Sequence, residues 1–153
     1  MIIEHLSKSR EETITLGQHL AGHLKRGDIV CLFGELGSGK TTLTKGIAKG
    51  LRIEPDTVSS PSFVLLNIYE GKLPLYHFDL YRAENYKQVL SVGSEEYLYG
   101  EGVSVVEWAQ RMGTLLPDDH LAVHFFHRKD DQRLIRISAS GKRSRLLMEH
   151  LKL

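Results

Sequence analysis

The residues of this chain best suited to chemistry form a glycine-rich segment, residues 34–41, with the spacing G-x-x-x-x-G-K-T. Its glycines allow the backbone to curl around a phosphate chain with N–H groups pointing inward, and a following helix N-terminus adds positive potential. In this motif the lysine, here Lys40, contacts the β- and γ-phosphates, and the hydroxyl of Thr41 holds Mg²⁺. The spacing therefore predicts a nucleoside triphosphate site of the P-loop type.

A site of this kind also needs a carboxylate at the end of a neighbouring strand, which steers the ligands of the metal. Two acids meet this requirement, because Glu107 follows V-S-V-V and Asp79 follows L-Y-H-F. The run before Glu107 is the more apolar, as expected of a central strand. We therefore assign the metal to Thr41 and Glu107, with Asp79 as the alternative acid, and predict Lys40, Asp79 and Glu107 as the catalytic residues.

The predicted nucleotide is ATP rather than GTP. Guanine-specific switch proteins read their base through the tetrad N-K-x-D, and this tetrad does not occur in the 153 residues. We therefore expect GTP to compete poorly with ATP.

The predicted helices and strands bring these groups to one edge of a sheet. A capping signal, S-x-x-E from Ser9, and leucines spaced at i, i+4 and i+8 predict a helix from residue 9 to about residue 25. Helices are also predicted over 40–51 and 142–151, and strands over 29–33, 63–69, 75–78, 103–106, 121–127 and 134–138. This order predicts an α/β fold, a P-loop NTPase three-layer sandwich with a mostly parallel central sheet and antiparallel additions.

Length and composition limit the class of protein. A chain of 153 residues is one domain's worth, so residues 1–153 are expected to form a single ATPase domain. With 41% hydrophobic and 25% charged residues, the composition excludes disordered, collagen-like and coiled-coil classes. The longest apolar run, Ile29–Phe33, is far shorter than the roughly 20 residues of a membrane span. The start resembles no signal peptide and one cysteine allows no internal disulfide, so we expect a cytoplasmic protein without a membrane partner.

Charge is distributed unevenly along the chain. Residues 1–127 have a balance of −4, and residues 128–153 have a balance of +5. A basic end of this kind could contact nucleic acid or an acidic partner. The interpretation we prefer is a solvated hairpin and helix, because runs of charge usually face water.

Four segments of the sequence occur in the order found in one protein family. They are G-E-L-G-S-G-K-T-T at 34–42, S-P-S-F at 60–63, H-F-D-L-Y-R at 77–82 and V-E-W at 106–108. Together they resemble the TsaE family, small bacterial ATPases of the tRNA threonylcarbamoyladenosine pathway. H-F-D-x-Y-R followed by V-E-W is specific to this family, and the resemblance covers residues 9 to 138.

The resemblance implies a protein that binds and hydrolyses ATP with Mg²⁺ and supports the TsaB and TsaD proteins, which install threonylcarbamoyl on tRNA. Contact with tRNA is then indirect, through that complex. The resemblance places the metal on Thr41 and Glu107, and Asp79 in a switch-like segment near the γ-phosphate. With Thr13 and Arg133 added from the resemblance alone, the predicted nucleotide-binding residues are Thr13, Gly37, Ser38, Gly39, Lys40, Thr41, Thr42, Ser62 and Arg133.

The chain departs from the family at Ser62, where the family usually has threonine in S-P-T-[YF]. Serine keeps the hydroxyl, so a hydrogen bond to phosphate or to a water of the Mg²⁺ shell survives. The lost methyl group weakens the restriction on the rotamer. We expect function to be retained.

Two other functions compete with this interpretation. A small-molecule kinase would need an acceptor site and an arginine-bearing lid, and no arginine-rich lid segment is evident. A non-catalytic module would bind ATP and partners without turnover. The sequence offers no obvious arginine finger or water-orienting glutamine, so we expect slow hydrolysis by the isolated protein and acceleration by TsaB and TsaD. Trp108 is either an anchor for a partner or a core residue.

Overall fold

A computed structural model describes residues 1–60 and 65–151 of the chain. Within these residues, seven strands form one sheet in the order β1-β7-β6-β2-β5-β4-β3. The four central strands, β6, β2, β5 and β4, are parallel, and antiparallel pairs lie on both sides of them. The strands are β1 Ile2–Ser7, β2 Ile29–Phe33, β3 Leu66–Tyr69, β4 Leu75–Asp79, β5 Val103–Glu107, β6 Leu121–His127 and β7 Arg133–Ala139. The predicted α/β class, parallel centre and antiparallel additions are confirmed.

Helices cover the two faces of the sheet unequally. The α-helices are α1 Arg10–Ala21, α2 Lys40–Gly50, α3 Tyr86–Ser91, α4 Ser94–Leu98 and α5 Lys142–His150. Side chains of α1, α2 and α5 pack on one face with Val30 and Leu32, whereas α3 and α4 pack on the other face with Ile29 and Cys31. This division follows from the alternation of side chains along β2. The core on the face covered by α3 and α4 contains no buried residue from β1, β6 or β7. The layer formed by α3 and α4 therefore covers only part of the described sheet.

Two glycines allow α1 and α2 to pack in close contact. A Cβ atom at Gly17 would lie 2.5 Å from the carbonyl oxygen of Leu43, and one at Gly46 would lie 2.3 Å from that of Ile14. Both distances are far below an ordinary contact, so larger residues would push the helices apart. The close packing holds the first turn of α1 beside the start of α2.

The start of α1 is confirmed and its end is corrected. The hydroxyl of Ser9 accepts the backbone N–H of Glu12 at 3.1 Å, and the Glu12 carboxylate accepts the N–H of Lys8 at 2.6 Å. The helix ends at Ala21 rather than near residue 25, because the N–H of Gly22 bonds to the carbonyl of His19 and leaves the helical pattern. Leu24 is nevertheless buried, which explains why the leucine spacing continues past the helix.

Other boundaries differ by a few residues from the predicted ones. The strand predicted from residue 63 begins at Leu66, and residues 63 and 64 lie outside the described part. The strand β1 and the helices α3 and α4 were not predicted. Within the described residues, no helix is long and apolar enough to cross a membrane.

Candidate active site

The glycine-rich loop, residues 34–39, connects β2 to α2 at the carboxyl end of the parallel strands. On the neighbouring strands, Asp79 ends β4 and Glu107 ends β5, and the two residues are paired in register. Glu107 is also paired with Leu32, one residue before the end of β2. Parallel strands thus bring both predicted acids to the edge at which the loop lies, as expected of ligand sites in open α/β sheets.

Two glycines of the loop have backbone conformations that disfavour other residues. Gly37 has a φ of 76° and Gly39 a φ of 110°, and both values lie in the left-handed region. From Gly39 the chain passes directly into α2, whose first hydrogen bond joins the N–H of Leu43 to the carbonyl of Gly39 at 2.9 Å. The backbone of the loop therefore lies at the N-terminus of α2, which is the positive end of the helix dipole.

Lys40, the first residue of α2, folds back over this loop. Its Nζ donates to the carbonyls of Gly34 at 2.7 Å and Glu35 at 2.8 Å, and lies 4.4 Å from the centroid of the Trp108 ring. Burial lowers the pKa of the amine from its ordinary value, against the opposing effect of nearby carboxylates, first among them that of Glu107. The ammonium group is thus held among acceptors that a ligand can replace.

Thr41 and Glu107, the predicted metal-binding pair, lie in direct contact. The Thr41 hydroxyl donates to the Glu107 carboxylate, 2.8 Å from Oε1 and 3.1 Å from Oε2. On its other side Oε2 lies 2.5 Å from Nε2 of His77. Glu107 is only 2% exposed, so these partners fix its orientation.

Asp79 is buried and held at both carboxylate oxygens. Oδ2 accepts a short hydrogen bond from the hydroxyl of Ser60, and Oδ1 accepts the backbone N–H of Tyr81 at 3.0 Å. Asp79 thus links the end of β4 to the segment that leads into residues 61–64. The predicted nucleotide-binding residue Ser62 lies outside the described residues.

The two residues assigned from the resemblance alone approach from distant parts of the chain. Arg133, at the start of β7, donates to the loop carbonyls of Ser38 at 3.2 Å and Gly37 at 3.3 Å. Thr13, on the first turns of α1, is buried, and its hydroxyl lies 2.7 Å from that of Ser7. Arg133 therefore fixes the glycine-rich loop, and Thr13 lies nearby, because its partner Ser7 is paired in register with Arg133.

One cleft of about 830 Å³ brings the predicted site residues together. Its volume is within the usual range of ligand pockets. The predicted residues that line it are Thr13, Gly37, Ser38, Gly39, Lys40, Thr41, Thr42, Asp79, Glu107 and Arg133. These are all the predicted site residues that the structure describes.

Trp108 lies at the rim of this cleft in a left-handed conformation, with a φ of 58°. Its ring centroid is 4.9 Å from that of Tyr81, and the guanidinium of Arg111 lies 5.8 Å from it. Tyr81 is 39% exposed. Trp108 is half-buried: it packs against the core that includes Cys31 and Val106, and it joins an aromatic and cationic group that reaches the surface.

His77 contacts the site residue Glu107 and is one of the residues to which the sequence interpretation assigned no role. A signal was available, because alternation along β4 places His77 and Asp79 on the same face of the sheet. Because His77 lies two positions before Asp79 on the same face, the sequence places this polar side chain near the carboxyl end of β4, where the end of a neighbouring strand also lies. Its partner on β5 could not be identified without the strand register.

Comparisons with known proteins agree with the sequence resemblance. The family model described as "Threonylcarbamoyl adenosine biosynthesis protein TsaE" matches residues 7–135. The tRNA threonylcarbamoyladenosine biosynthesis protein TsaE of Bacillus subtilis is 43% identical over 142 residues, covering 92% of this chain and 88% of the relative. The protein of the same name from Treponema pallidum is 36% identical over 133 residues, covering 87% and 98%.

A solved structure extends the similarity to the fold. The crystal structure of Bacillus subtilis YdiB superposes with a TM-score of 0.84 and 37% sequence identity, covering 99% of this chain and 94% of that one. The sequence matches extend over most of this chain and most of each relative, and they include the glycine-rich loop and both strand-end acids. This chain therefore belongs to the TsaE family of tRNA threonylcarbamoyladenosine biosynthesis proteins.

Proposed function

We propose that residues 1–153 form one P-loop ATPase domain that binds and hydrolyses ATP during the formation of threonylcarbamoyladenosine in tRNA. The observation that carries the proposal is the convergence of the glycine-rich loop, Lys40, Thr41 and two strand-end acids on one cleft. Each of these groups has a role in phosphoryl transfer, a reaction whose catalysis depends mainly on positioning of the reacting groups and on stabilisation of charge. The pathway is inferred from the relatives called TsaE, which are named as tRNA threonylcarbamoyladenosine biosynthesis proteins.

The phosphates of ATP would bind at the loop and the start of α2. Lys40 would exchange its bonds to the carbonyls of Gly34 and Glu35 for the β- and γ-phosphates, since an anionic oxygen is a stronger acceptor than a carbonyl. The backbone N–H groups beside Gly37 and Gly39 would surround the phosphate chain. Arg133 would keep the loop in this shape through its carbonyls.

Mg²⁺ fits the donors that face the same cleft. Thr41 and Glu107 offer a hydroxyl and a carboxylate, the hard oxygen ligands that this ion prefers. When bound, the ion would neutralise charge that develops on the phosphates. Asp79, held by Ser60 and by the N–H of Tyr81, would act near the γ-phosphate.

The proposed partners are the TsaB and TsaD proteins, with tRNA contacted through their complex. Among the described residues that line the cleft there is no glutamine to orient an attacking water. The rim group of Tyr81, Trp108 and Arg111 combines the residue types that dominate protein interfaces. A partner seated on this rim could complete the site.

Nucleoside analysis of tRNA from cells tests the proposed function. Depletion of this protein is expected to abolish threonylcarbamoyladenosine, because the transfer depends on the ATPase. Expression of the wild-type chain should restore the nucleoside, and Lys40→Ala, made at equal abundance, should not. Full threonylcarbamoyladenosine in depleted cells would refute the pathway assignment, and rescue by Lys40→Ala would refute the need for ATP.

Two isosteric variants distinguish the roles of the acids. Glu107→Gln is expected to weaken the Mg²⁺ dependence of ATP binding and to slow hydrolysis, while metal-free nucleotide binding stays close to that of the wild type. Asp79→Asn is expected to slow hydrolysis with little change in Mg²⁺ affinity. Calorimetry in the presence of Mg²⁺ and of chelator gives both quantities, and the reverse pattern would transfer the metal to Asp79.

A further inference from the structure

His77 is completely buried on β4, and its two ring nitrogens have very different surroundings. Nε2 lies 2.5 Å from Oε2 of Glu107. Nδ1 is also buried, and no residue in the described part of the chain offers it a hydrogen bond. Since Glu107 is an acceptor, the hydrogen bond places the proton of a neutral ring on Nε2 and leaves the lone pair of Nδ1 unpartnered.

A buried nitrogen without a partner is unfavourable, and most buried polar groups in proteins avoid it. The neighbouring inward position on the same strand is Leu75, which is buried in the apolar core. A leucine at position 77 would therefore suit this face of β4 and would carry no unpartnered polar atom of its own. The benefit of histidine here must come from its other nitrogen, which contacts Glu107.

The contact to His77 completes a chain of hydrogen bonds across three elements. Thr41 on α2 donates to Glu107 on β5, and Glu107 accepts from His77 on β4. A carboxylate held from both sides loses most of its freedom to rotate. When a residue that hydrogen-bonds to a metal ligand is mutated, metal affinity typically falls by ten- to a hundredfold.

We propose that His77 is a positioning residue, whose Nε2–H holds the Glu107 carboxylate in the orientation that receives the divalent cation of a bound nucleotide. The inference rests on the proposed function, in which Glu107 serves that cation. It adds a role to the histidine of H-F-D-L-Y-R that is separate from the role of Asp79 in the same segment.

The test measures Mn²⁺ binding to the complex with a non-hydrolysable ATP analogue, by electron paramagnetic resonance. His77→Leu, which has no donor, is expected to weaken Mn²⁺ binding by on the order of tenfold. Binding of the analogue in chelator should be unchanged. His77→Gln should recover most of the affinity because its amide reaches the place of Nε2, whereas His77→Asn, whose amide reaches only the place of Nδ1, should not.

Thermal unfolding of each variant establishes that it is folded. Wild-type Mn²⁺ affinity in a folded His77→Leu protein would overturn the inference, as would equal affinities for the glutamine and asparagine variants. If the leucine variant does not fold, the comparison of glutamine with asparagine decides alone. Glu107→Gln is measured alongside: normal Mn²⁺ affinity in that variant would refute the proposed metal site itself, which distinguishes the two failures.

Discussion

Lys40→Ala is expected to weaken ATP binding by ten- to a hundredfold, corresponding to about 1.5–3 kcal/mol for hydrogen bonds to a charged group. The structure gives the reason, because Nζ is held by loop carbonyls 2.7 and 2.8 Å away at the place where the proposed phosphates bind. Lys40 is the first residue of α2, directly after the loop, and its ammonium group lies over that loop. Titration calorimetry with ATP and Mg²⁺ measures the effect.

Lys49→Ala is the matched control for this prediction. Lys49 lies on the same helix, α2, but is exposed near its last turn and does not line the cleft. Removing it subtracts the same charge, so it should leave ATP affinity close to the wild-type value. An unchanged dissociation constant in a folded Lys40→Ala protein would refute the proposed phosphate site.

The parts of the site that lie close together in sequence could be predicted from it. The loop of residues 34–39, the strand before it and the helix after it form one continuous segment, so their spacing alone specifies the local geometry. Asp79 and Glu107 were predictable for a second reason, since the ends of parallel strands must meet at one edge of the sheet. Local pattern and simple topology were enough for these residues.

Contacts between distant segments could not be predicted from the pattern. Arg133 bonds to Ser38 across 95 residues, and His77 contacts Glu107 across 30. Such pairs depend on strand order and register, which a single sequence does not specify. Thr13 and Arg133 were identified only through the family resemblance, and the structure places both at the cleft.

Short elements held by tertiary contacts were missed for a related reason. Helices α3 and α4 have six and five residues, too few for a clear helical period. Edge strand β1 gains its structure by pairing with β7, whose residues lie at the other end of the chain. In both cases the stabilising partner is remote in sequence.

TsaB and TsaD are expected to accelerate ATP hydrolysis by this protein strongly, since a charged finger supplied by a partner contributes about 10³–10⁵ in rate to related reactions. The isolated chain should turn over slowly. In the described part of the chain the cleft is lined by Arg10, Arg82 and Arg133, of which Arg133 is engaged with loop carbonyls, and no glutamine is among the described lining residues. A steady-state ATPase assay with and without the pair measures the effect, and full-speed turnover by the isolated protein would contradict it.

Trp108→Ala is expected to reduce this acceleration selectively and to spare ATP affinity. The ring contacts Tyr81 and Arg111 at the rim, so its loss removes an aromatic anchor from the surface proposed for the partners. The Lys40 amine lies 4.4 Å from the ring centroid. ATP affinity should persist because this amine would bind the phosphates of ATP and would not depend on the ring. Tyr99→Ala is the control, since Tyr99 is 68% exposed but precedes β5, at the opposite edge of the sheet. Equal loss of acceleration in both variants would show that Trp108 has no special role in docking.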